Sequence, residues 1–184
     1  MAAARAIASN RTRRFAAEKG ALMSDNLEAY LQDHLAGALH AIELLKAMRD
    51  HNAGHPVAEF AGRLLGEVER DRDALAALNE RLGGSSGGPK EWGAWLTEKA
   101  SRLKLKHGTG DGLGTFEALE FLVLGIHGKR ALWRALSHVT SCDPRLTEMD
   151  FSQLVARAEA QEAAVEEQRL AHALIALCPK QPEK

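Results

Sequence analysis

Aromatic residues are scarce in this 184-residue chain, at 5%, and no stretch alternates apolar and polar residues long enough to make a half-buried strand. A β-rich fold is excluded on both counts. Cysteine is almost missing. Cys142 and Cys178 alone cannot build a disulfide framework or a Cys-rich zinc site, and this usage fits a reducing compartment. No apolar run approaches the ~20 residues that cross a bilayer, so no membrane span is expected and the chain is placed in the cytoplasm. Charge of one sign is lacking too: the net charge is −1, which removes a global electrostatic case for nucleic-acid binding.

What the sequence does have is 45% apolar and 27% charged residues, dominated by Ala, Leu, Glu and Arg. That is the composition of a globular helical domain with a sizeable core. Residues 1–22 stand apart. Arg5, Arg11, Arg13, Arg14 and Lys19 face the single acid Glu18, a local charge of +4. A basic, acid-poor leader resembles an organellar transit peptide, whereas Met23-Ser24-Asp25-Asn26 looks like a natural start just before a helix. The segment 1–22 is therefore treated as an extension, 23–178 as the domain and 179–184 as a tail.

Punctuation divides the domain. A helix is predicted over 25–52, opened by Asp25 and Glu28 at capping-box spacing and closed by Gly54. Pro56 occupies the favoured first turn of a second helix, 56–82, with Leu64, Val68, Leu75 and Leu78 on one stripe. Gly83 to Pro89 reads as a linker. A short amphipathic helix is expected over 90–106, anchored by Trp92, Trp95, Leu96 and Leu103. A second Gly-rich arm precedes a third helix capped at Thr115 and running to about 140. A fourth is expected to open at Thr147, with Asp150 three residues on, and to stop at Pro179.

Connection lengths then choose a topology. Short turns make each outer pair an antiparallel hairpin, while some 32 residues, 83–114, separate the pairs. A helix of ~27 residues is ~40 Å long, and a connection of that size can return the chain to the opposite end. The fold class is all-α: a four-helix bundle of two antiparallel hairpins joined by a long crossover carrying a short helix.

In helix order and spacing the chain resembles the ferritin-like superfamily. That resemblance implies a di-iron or di-manganese site built from a carboxylate on two helices and Glu-x-x-His on the other two. The inward faces are predicted to carry His34 on the first helix, Glu67 and Asp71 on the second, Glu120, His127 and Arg130 on the third, and Glu162, Arg169 and His172 on the fourth. The motifs are degenerate: Glu67 is followed at three residues by Arg70, and Glu162 by Val165, where the family pattern has His. Inward arginines would repel a metal ion and instead match the inward acids. The leading expectation is a buried ion-pair cluster in a non-catalytic binding or scaffold protein without a cofactor. The alternative is a di-iron or di-manganese oxidoreductase in which Glu67, Glu120 and Glu162 bridge the metals and His34 and His127 complete the site.

Lesser signals complete the picture. The run Gly108 to Gly114 follows no strand and lacks the Gly-Lys-Ser/Thr ending of a phosphate loop. Lys99, Arg102, Lys104 and Lys106 suit the C-terminal end of the short helix; contact with nucleic acid or an anionic membrane through them and residues 1–22 would collapse with salt. Leu35, Leu39 and Leu44 widen the apolar belt of the first helix beyond one inward stripe, which leads to the expectation of a homodimer.

Overall fold

A computed structural model describes residues 2–84 and 112–178, with side chains from residue 25 onward. Among these residues the chain forms four helices and no strand: α1 (Ala2–His51), α2 (Pro56–Arg81), α3 (Leu113–His138) and α4 (Phe151–Leu177), with one 3₁₀ turn at Pro144–Leu146. The predicted short helix 90–106 and its tryptophans lie outside the described residues, as does the tail 179–184.

The ends of the helices follow from local chemistry, with three departures from expectation. Pro56 does start α2, and Gly54 before it adopts φ +86°, a backbone conformation that costs an L-residue's side chain heavily. The first helix, however, does not begin at Asp25. It runs unbroken from Ala2, because residues 2–24 hold no proline and one glycine, Gly20, and one glycine costs only about 1 kcal/mol. Nor does Thr115 cap α3: Gly112, at φ +74°, holds that position, and the Thr115 hydroxyl donates to Asn52 Oδ1 at 3.3 Å. Finally, α4 opens at Asp150 rather than Thr147. The Asp150 carboxylate accepts the Gln153 amide at 3.0 Å, while Thr147 closes the 3₁₀ turn and donates to the Pro144 carbonyl at 2.7 Å.

The closest packing is α1 on α2 and α3 on α4, with α1 also against α3 and a lighter contact of α2 with α4. Direction comes from contacts at the two ends. At one end the Thr115–Asn52 bond sets the start of α3 beside the end of α1. At the other, Arg145 Nη1 donates to the Leu82 carbonyl at 3.0 Å and Arg81 Nη1 to Glu148 at 2.9 Å, tying the end of α2 to the turn between α3 and α4. Thus α1 and α4 run one way and α2 and α3 the other. Gly84 and Gly112, which flank residues 85–111, lie at opposite ends of the bundle, as a long crossover requires.

The core fills the space between the two hairpins. Leu31, Leu45, Leu78, Leu119, Leu122, Leu136 and Val165 are fully buried. Trp133, equally buried, stacks at a tilt against Phe151 with ring centroids 6.4 Å apart, joining the end of α3 to the start of α4. Leu35 and Leu44 pack against this core, so Leu39 is the one leucine of the expected dimer belt that stands half exposed.

Candidate functional site

Three helices each place a polar side chain in the middle of an otherwise apolar stripe. On α2 the buried positions Leu64, Val68, Asp71, Leu75 and Leu78 follow one another at steps of four and three. On α3 the same rhythm runs Leu122, Ile126, Lys129, Trp133, Leu136, and on α4 Leu154, Ala158, Gln161, Val165. Helical geometry alone therefore turns Asp71, Lys129 and Gln161 toward one another.

They form a charged network. Asp71 is 3% exposed, and its Oδ2 accepts from Lys129 Nζ at 2.5 Å. Arg157, a turn before Gln161 on α4, pairs with the other Asp71 oxygen. The Lys129 ammonium also donates to Gln161 Oε1, and the Gln161 amide donates to Glu67 Oε2 at 3.0 Å. Lys129, at 15% side-chain exposure, is pulled two ways: burial pushes its pKa below the ordinary lysine value, and the nearby carboxylates of Asp71 and Glu67 oppose that shift.

A second group lies at the rim between α3 and α4. Glu162 is flanked by Arg130 at 3.3 Å and His127 Nδ1 at 3.2 Å. That same Nδ1 stands 3.0 Å from Arg130 Nη2. It can accept from the guanidinium or donate to the carboxylate, but not both at once. Further along α4, Arg169 binds Glu166 through two nitrogens at 2.6 and 2.7 Å, approaches Glu120 at 3.9 Å and lies 5.6 Å from the centroid of the Phe116 ring.

The residues singled out from sequence thus fall into separate places. Glu67 and Asp71 enter the buried network; His127, Arg130 and Glu162 meet at the rim; Glu120 and Arg169 meet further along. His34 sits apart on α1, edge-on to Tyr30 at 4.8 Å, its pKa lowered by burial against a smaller opposing effect of Asp33. His172 is held by the Gln168 carbonyl of its own helix at 2.9 Å. Glu120 and His127 are 54% and 58% exposed, because the buried stripe of α3 passes through Phe116, Leu119, Leu122 and Ile126, and both follow a buried residue one position round the helix.

Lys129, Arg157 and Gln161 were missed, although the signal existed. Lys129 shares a face with buried Ile126 and Trp133, and Gln161 with buried Ala158 and Val165, three and four positions away; Arg157 has buried Leu154 three positions before it. A long basic side chain can bury its stem while its type suggests solvent, so only its angle on the helix marks it as inward.

This donor set does not fit a pair of metal ions. Among the described residues no group of three or more His, Cys, Asp or Glu could hold a metal ion. The carboxylate of Asp71 is engaged by an ammonium and a guanidinium, so positive charge already stands where a metal would need to be. No described helix is long and apolar enough to cross a membrane. No family model matches the chain, and neither a curated protein nor a solved structure matches it.

Proposed function

We propose that this chain is a ferritin-like bundle acting in the cytoplasm as a non-catalytic binding or scaffold protein, with a charged network in the position that related bundles give to metal. One observation carries the reading: the cation held between the helices is the Lys129 ammonium, with Asp71 and Gln161 as its acceptors and Arg157 on the second Asp71 oxygen. Buried charges engaged with one another fix the relative positions of helices rather than offer a free group to a substrate. A rigid bundle of this kind presents its outer surfaces in a constant arrangement, which is what a binding platform needs.

The test is metal content by mass spectrometry on full-length protein loaded anaerobically with Fe(II) and then exposed to air. Below about a tenth of an ion per chain is expected, against the two ions that such carboxylate sites hold. Two ions per chain, with an oxo-bridge absorption growing in on oxygenation, would overturn the reading in favour of a di-metal oxidoreductase.

A further inference from the structure

A cavity of about 330 Å³ lies between residues 26–30 of α1, the end of α3 and the 3₁₀ turn. Its lining includes Leu136 and Leu146, both fully buried, together with Leu27, Tyr30 and Ala135. Small-molecule sites begin at about this size and share this apolar character. The wall supplied by the turn is fixed: the Cys142 amide donates to the Val139 carbonyl at 2.9 Å, and Arg145 ties the turn to the end of α2 through the Leu82 carbonyl at 3.0 Å. On the opposite wall Tyr30 is held edge-on to His34. A site shaped in advance loses little to ordering when a ligand enters.

Charge and volume select what fits. Among the residues that line the cavity Asp143 alone is charged, and Arg145 matches it: Nε and Nη2 donate to its two oxygens at 2.5 to 3.1 Å, and the Arg145 amide adds a bond at 3.0 Å. The pair presents no net charge, and an apolar lining disfavours an ionised ligand. A cavity of about 150 Å³ takes one benzene ring, so one of about twice that volume takes two fused rings. Rigid rings also lose less rotational freedom on entry than a chain of equal volume, and Tyr30 offers them an aromatic neighbour.

We propose that this cavity is a binding site for a neutral bicyclic aromatic molecule, its rings against Leu136, Leu146 and Tyr30. Cys142, exposed and part of the lining, reports on occupancy because a bound ligand shields its thiol. The assignment does not rest on the role proposed above: iron loading reads the charged network between the helices, and ligand binding reads a cavity at one end of the bundle.

Two measurements on the full chain decide it. 2-Naphthol, followed by its own fluorescence, is expected to bind saturably. At about ten times its Kd it slows alkylation of Cys142 by iodoacetamide roughly tenfold, since only the unoccupied chain reacts, while Cys178 at the far end of α4 reacts as before. Ala135→Phe fills the cavity from an exposed position and weakens binding roughly tenfold or more; Ala131→Phe, one turn away and outside the lining, leaves it unchanged. Absent saturation, equal protection of both cysteines, or binding undiminished by Ala135→Phe overturns the proposal. Tighter binding of 1-decanol or of naphthalene-2-sulfonate overturns it too, in favour of a chain or an anion. A mass by light scattering that falls when 2-naphthol is added does the same, because a second copy was then the occupant.

Discussion

Asp71 holds two cations at once, and that double duty sets what its loss does. Asp71→Ala would leave the Lys129 ammonium and the Arg157 guanidinium without their shared anion in a largely buried place. A loss of roughly 3–5 kcal/mol is expected, measured by urea or thermal unfolding. The combined variant Asp71→Leu/Lys129→Met/Arg157→Leu should instead lie within about 2 kcal/mol of the parent or above it, because the two cations go with their shared anion and the half-buried Glu67 keeps the Gln161 amide. His34 makes the pH prediction. Its folded-state pKa lies below the ordinary 6.5, so between the folded value and 6.5 the unfolded chain binds more protons than the native one. The stability associated with a neutral His34 is complete above pH 6.5 and is lost as pH falls through the folded value. In His34→Gln the unfolding midpoint should vary less with pH across that acidic window; an identical pH profile would remove the assignment.

At the level of elements, helix ends offer the sharpest predictions. Gly112 combines φ +74° with close contact to Ile175, so Gly112→Ala is expected to cost about 1–2 kcal/mol from backbone conformation before any steric adjustment. Asp150→Ala removes the cap on α4 and should cost about 1 kcal/mol, whereas Thr147→Ala should cost less, reversing the order the sequence suggests. The helices themselves were legible because their apolar stripes and breakers agree: Pro56 after Gly54, and Asp143-Pro144 after α3. Caps were less so. Thr115 and Thr147 each had suitable neighbours, but the choice between a threonine and a nearby Gly or Asp depends on what lies across the bundle, which no local pattern contains. Asp71 was found at the centre of its stripe by angle alone. Lys129 escaped for the opposite reason: its partners come from α2 and α4, and without them a lysine amid leucines reads as a solvated side chain reaching past the core.

On the scale of the molecule, polar contacts at the ends tie one hairpin to the other. Arg81 to Glu148 and Arg145 to the Leu82 carbonyl are two of them. Arg81→Ala/Arg145→Ala should therefore speed amide exchange in the 3₁₀ turn and the last turn of α2, while amides at the centre of α3 and α4 keep their protection. A uniform loss of protection would mean that these arginines hold the whole bundle rather than one end.

The charged network also sorts the two halves. Hairpin α1–α2 contributes only the acids Asp71 and Glu67, and hairpin α3–α4 contributes the cations Lys129 and Arg157. Two copies of the first hairpin, each with a suitable apolar face, would bring four carboxylates together with no counter-charge; two copies of the second would crowd four cations. Self-pairing of either hairpin thus carries an electrostatic cost that pairing with the other half removes.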